Sequence, residues 1–150
     1  TSYAPLLAKE RHTQWNPDLI YFNNREVKPT TGYYVQKLYG QNAGNEYLPS
    51  KITLDNKDDK VRKRFASSIV RDSASGDVIV KLVNLLPAEV NTNVDLSGIG
   101  AVQPSAKRTV LTGKPTDTPL PVEDRIQIAE KFDCNLPAYS FTVIRIQKAN

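Results

Sequence analysis

Ser73-Ala-Ser-Gly-Asp-Val-Ile-Val-Lys-Leu-Val-Asn84 is the stretch whose reading decides the fold. Ser73 to Asp77 has the composition of a turn joining two antiparallel strands, with Gly76 free to take a positive φ. Val78 to Val83 is apolar on both faces apart from Lys81. That pattern predicts a central strand covered on both sides, or one lying against a neighbouring domain.

Outward from this hairpin the chain keeps the same rhythm. Val90, Thr92, Val94 and Leu96 share one face of Glu89 to Leu96 while Asn91, Asn93 and Asp95 share the other, the period-two signature of a half-buried strand. Further strands are expected at Ile52 to Leu54, Arg64 to Asp72, Arg108 to Thr112, Arg125 to Lys131 and Ser140 to Gln147. Short β-branched runs separated by turn residues point to a sandwich. Phe141, Val143, Ile144 and Ile146 place the last of these strands inside a sheet, because such side chains are poorly placed in water.

Before Lys51 the pattern differs. Tyr3 to Leu7 reads as a short strand, Ala8 to Pro17 as a polar loop and Leu19 to Phe22 as a brief apolar run. Thr30 or Thr31 can cap a helix that carries Tyr34, Val35, Leu38 and Tyr39 on one face and ends at Gly40 or Gly44. The Asn42 to Pro49 stretch divides the chain into residues 1–42 and 43–150. The fold class is therefore mainly β: an antiparallel, jelly-roll-like β-sandwich preceded by a short strand-loop-helix segment.

Composition sets bounds. With 150 residues, 39% hydrophobic and 24% charged, and no apolar run near the ~20 residues of a membrane helix, a soluble fold without a membrane partner is expected. Thr1 to Leu7 lacks a basic region followed by a long apolar one, so no signal peptide is expected there. Cys134, the sole cysteine, excludes an internal disulfide and a cysteine-rich zinc site, and His12 has no second ligand at metal spacing, so neither metal nor cofactor is expected. The net charge of +4 gathers partly at Lys57, Lys60, Arg62, Lys63 and Arg64, but Asp55, Asp58 and Asp59 interrupt that cluster. A solvated turn is expected there, and no nucleic-acid partner.

Three N-terminal blocks say most about function: Ser2-Tyr-Ala-Pro-Leu-Leu7, Gln14-Trp-Asn-Pro-Asp-Leu-Ile-Tyr-Phe22 and Gly32-Tyr-Tyr-Val-Gln-Lys-Leu-Tyr39. Together they resemble the α-L-arabinofuranosidases of glycoside hydrolase family 51, where the last βα unit of the catalytic barrel hands over to a C-terminal β-sandwich. Gly76 to Asn84, Val94-Asp-Leu-Ser-Gly98, Thr109-Val-Leu-Thr-Gly113 and Leu136 to Ile146 are similar to successive strands of that sandwich. Lys114-Pro-Thr-Asp-Thr-Pro-Leu-Pro121 departs from the family's Asn-rich loop.

The resemblance implies a retaining hydrolase that removes terminal α-L-arabinofuranosyl groups from arabinan or arabinoxylan. Its acid and nucleophile, carboxylates about 5 Å apart, would be glutamates on earlier barrel strands, so this chain holds no catalytic residue. The expected partners are the upstream barrel of the same polypeptide and an arabinose-containing oligo- or polysaccharide. Glu10, Asp18, Glu26 and Glu46 are not substitutes: loop carboxylates among charged neighbours show no sign of the raised pKa that a general acid needs.

Substrate contacts are expected in the loop from about Leu7 to Asp18, since barrel enzymes build their sites from loops at the C-terminal ends of strands. Trp15 can stack on a sugar face and donate its N–H, or pack between barrel and sandwich. Asn16 or Asp18 can hydrogen-bond a furanose hydroxyl, although Asn-Pro-Asp is equally a turn signal. Two other functional classes stay open, a carbohydrate-binding module with an aromatic platform and a non-catalytic interaction sandwich. Tyr33, Tyr34, Tyr39 and Tyr139 read as packing residues. The N-terminal helix is expected to dock on the sandwich; the other outcome is a homo-oligomer formed through its exposed stripe.

Overall fold

The computed structural model describes residues 2–114 and 117–149, so Pro115 and Thr116 of the departing loop lie outside the described residues. In chain order the elements are β1 (Leu7–Lys9), β2 (Ile20–Phe22), β3 (Val27–Pro29), α1 (Thr31–Gln41), β4 (Glu46–Tyr47), α2 (Asp59–Arg62), β5 (Phe65–Arg71), β6 (Val78–Asn84), β7 (Val90–Asp95), β8 (Val102–Thr112), β9 (Val122–Gln127), β10 (Lys131–Leu136) and β11 (Ser140–Lys148). An antiparallel six-stranded sheet runs β4-β5-β6-β11-β8-β9, and β7 pairs with β10 as an antiparallel ribbon. The chain is a β-sandwich, as the period-two patterning requires.

The expected hairpin closes on Gly76 at φ 76°. Arg145 of β11 clamps it, donating from Nε to Asp77 (2.6 Å) and from Nη2 to Asp72 (2.9 Å). The last strand lies inside the sheet, with Ile144 opposite Val80 on β6 and Arg108 on β8.

Both faces of β6 and β11 are covered. On one, Val78, Val80, Ala106, Ile144 and Ile146 meet Val94, Phe132, Cys134 and Leu136 of the ribbon. On the other, Ile79, Leu111, Phe141 and Val143 receive Leu38 of α1, with Tyr34 and Val35 beside it. Each fully buried aliphatic side chain contributes about 1.5–3 kcal/mol, and the two clusters explain why Val78 to Val83 carries almost no polar residue. Lys81, the exception, sits beneath α1 with Nζ 5.9 Å from the Tyr39 ring centre, and burial pushes its pKa down. Tyr39 itself stacks on Phe141 at 4.6 Å. The helix docks on the sandwich.

Several boundaries differ from expectation for local reasons. The first strand is Leu7–Lys9, not Tyr3 to Leu7, and Pro5, which lacks an N–H for strand pairing, lies before it. Within the expected polar loop and beyond it the chain forms a three-stranded sheet, β1 parallel to β2 and β2 antiparallel to β3. Thr30 is the extended cap residue of α1, but its hydroxyl donates to Leu19 O (2.7 Å) and not to the helix; Gly40 lies inside the helix and Asn42 ends it. Ile52 to Leu54 forms no strand, whereas the exposed two-residue β4 does pair with β5. Strand β8 begins at Val102, earlier than Arg108, because Pro104 falls where the register with β11 shifts and its missing N–H interrupts no regular ladder. Arg125 to Lys131 divides into two strands, since the chain leaves the large sheet after Gln127 and crosses to the ribbon at Lys131.

The ribbon turns its polar side outward, with Asn93 donating to Asp133 (3.0 Å). At its end Asp95 accepts from the backbone N–H of Ser97 (3.0 Å) and pairs with Lys131 (2.9 Å), which together hold its pKa at about 2. A depressed carboxylate stabilises the fold above its unfolded pKa of about 3.9, and that contribution disappears as pH falls toward 2. The thermal midpoint of the chain is therefore expected to fall between about pH 4 and pH 2, and the slope in this window to be shallower in Asp95→Asn. An unchanged slope would show that this contact contributes nothing.

Candidate functional site

Strand β1 ends at Lys9, and the loop that follows carries the three residues expected to meet substrate. Its shape is set by short local bonds. His12 N–H donates to Lys9 O (3.0 Å), Arg11 takes φ 61°, and the Asn16-Pro17 peptide is cis. Thr13 Oγ1 accepts from Trp15 N–H and donates to Trp15 O, both at 3.1 Å, so the backbone beneath the indole is fixed from both sides. Tyr21 of β2 anchors the far end: its hydroxyl donates to Asn16 Oδ1 (3.0 Å) and accepts from Asp18 N–H (2.9 Å).

Trp15 is 68% exposed. With Glu10, Arg11, Thr13, Asn16 and Tyr21 it lines a shallow depression of about 410 Å³. An indole presented over bound hydroxyl and amide groups suits a sugar, whose apolar face stacks while its hydroxyls hydrogen-bond. Asp18 is not part of this depression. It is fully buried, and neither carboxylate oxygen meets a donor among the described residues.

The carboxylate at the rim of the depression, Glu10, is tied into a charged network. Lys28 (2.9 Å) and Asn23 (2.8 Å) both donate to Glu10, and the Lys28 bond above all holds its pKa below the ordinary range. Glu26 also pairs with Lys28, and Glu46 with Arg71. The arrangement can bind and orient a sugar. Thr13 and Tyr21, which organise the loop, were not among the expected residues. The Thr13-to-Trp15 spacing, a hydroxyl two residues from a turn amide, was the one signal available.

A family model for the α-L-arabinofuranosidase C-terminal domain matches residues 1–142. The chain is 29% identical to α-L-arabinofuranosidase 1 of Arabidopsis thaliana over 98% of its own length, and 32% identical to a probable α-L-arabinofuranosidase A of Aspergillus terreus over 95%. In each case it spans 23% of the relative. The arabinose-bound structure of MgGH51 α-L-arabinofuranosidase superposes on 99% of this chain with a TM-score of 0.85 at 30% identity, using 24% of that protein.

Proposed function

The chain belongs to the α-L-arabinofuranosidase C-terminal domain family, and from that membership we propose that it works as the terminal part of a longer arabinofuranosidase. In this reading residues 1–42 form the last βα unit of a catalytic barrel and residues 43–150 the sandwich that braces it. The upstream part supplies the acid and nucleophile for retaining hydrolysis of terminal α-L-arabinofuranosyl groups. This chain supplies one wall of the sugar site, where Trp15 stacks on the furanose and Asn16 hydrogen-bonds a hydroxyl.

The observation that carries the proposal is how the Trp15 loop is supported. The loop hangs between β1 and β2, the chain continues through β3 into α1, and α1 rests on the sandwich through Leu38 and through Tyr39 stacked on Phe141. A brace positions binding groups and leaves bond breaking to others. The 150-residue chain is therefore expected to leave an aryl α-L-arabinofuranoside intact, while the longer polypeptide hydrolyses it; loss of both carboxylates costs many orders of magnitude in rate. Turnover by the purified chain that disappears on mutating one of its own carboxylates would overturn the reading. Exposed Trp15 favours a second reading, a self-sufficient carbohydrate-binding module. Saturable binding of arabino-oligosaccharides to the 150-residue chain, lost in Trp15→Ala, would establish that module.

A further inference from the structure

Asp18 has no exposed surface, and both of its carboxylate oxygens are buried without a hydrogen-bond partner among the described residues. Only its backbone N–H is engaged, by the Tyr21 hydroxyl. A buried carboxylate is tolerated when paired and is costly otherwise, and the Tyr21 hydroxyl, which accepts from the backbone N–H, leaves both side-chain oxygens unserved. Among the described residues no ion pair reaches Asp18. Lys9, Arg11, His12, Arg25, Lys28 and Lys37, the basic side chains of residues 2–42, are all exposed, and Lys28 is already committed to Glu10 and Glu26. Beside Asp18, Leu19 and Ile20 are tied to Pro5 and Leu6 by backbone bonds of 3.2 and 3.0 Å, and there Leu6 and Leu7 are each more than half exposed. A buried carboxyl group without partners and an uncovered apolar surface thus lie at the same junction.

We propose that Asp18 is the acceptor of an inter-unit ion pair, filled by an arginine guanidinium from polypeptide outside these 150 residues, whose apolar neighbours cover Leu6 and Leu7. Two unpaired oxygens on one carboxylate match the fork of a guanidinium, which donates two parallel hydrogen bonds where an ammonium offers a point charge. Asp18 is then a positioning residue: it locks the β1–β2 junction, and with it the Trp15 loop, to the neighbouring unit. The inference rests on the reading that the chain is part of a longer arabinofuranosidase.

Its test is the sign of one substitution in two contexts. In the 150-residue chain Asp18→Asn removes an unpaired buried charge, and the thermal midpoint is expected to rise by several degrees. In the longer polypeptide the same substitution breaks the pair, and the midpoint is expected to fall by several degrees or the variant to be recovered insoluble. A shift of the same sign in both, or none in the longer protein, overturns the proposal. An unchanged midpoint in the longer protein with a raised KM overturns it in favour of direct sugar contact. Hydrolysis of an aryl arabinofuranoside by the unmutated longer protein tests the parent reading alone, so a sign reversal in an inactive protein would leave the ion pair standing and remove the hydrolase.

Discussion

Asn84→Ala is expected to destabilise the 150-residue chain by about 3–5 kcal/mol, a large part of the stability of a domain this size. The side chain has no exposed surface at the end of β6 and makes four hydrogen bonds. The two hydrogens on its Nδ2 serve three carbonyls, those of Ala88 (2.9 Å), Pro137 (2.9 Å) and, at the longer 3.2 Å of a shared bond, Leu136, and its Oδ1 accepts from Leu86 N–H (3.0 Å). One amide thereby ties the loop after β6 to the turn that launches β11. Alanine leaves four backbone groups without that partner, at about 1–3 kcal/mol for each one that water cannot reach. Asn84→Asp keeps the shape but loses the donors and buries a charge, so it is expected to be at least as damaging. Chemical denaturation decides: a loss below about 1 kcal/mol for Asn84→Ala would mean that the loops hold their places without the side chain.

Phe141→Ala is the second large effect, expected to cost about 3–5 kcal/mol, and its consequences are uneven. Phe141 is 6% exposed on the outer face of β11, and its ring is the surface on which Tyr39 stacks. Deleting the ring opens a cavity among Leu38, Ile79, Leu111 and Val143 while leaving the inner cluster behind the ribbon untouched. Hydrogen exchange in α1 is accordingly expected to accelerate far more than in β7 and β10. Equal acceleration everywhere would show that helix and sandwich unfold as one cooperative unit.

The hairpin and the central strand were legible because their burial is written in composition: a segment covered on both faces has little room for polar residues. The helix was legible from its apolar stripe. The crossing between β9 and β10 was not, because Ile128-Ala-Glu130 contains neither glycine nor proline and the change of partner is tertiary. Ile52 to Leu54 shows the opposite failure, since β-branched residues favour a strand only where an edge is available to pair with. At the site, Trp15 was identifiable as the sole indole in a loop of the resembling family. The burial of Asp18 was not, because Asn-Pro-Asp marks a turn whether its acid faces water or the interior.

The position of β11 between β6 and β8 has a consequence for how the protein is made. Strands β5 and β6 can zip into a hairpin as soon as they are synthesised, and so can β8 and β9, but neither pair can join the other before residues 140–148 arrive. At about 5–20 residues per second, the inner edge of β6 waits roughly 3–13 s for its neighbour. That edge bears Val78, Ile79 and Val80, three consecutive β-branched residues suited to pairing with another nascent chain. What occupies the β6 edge during translation is therefore expected to bear on soluble yield from a heterologous host, and added chaperone is expected to raise that yield.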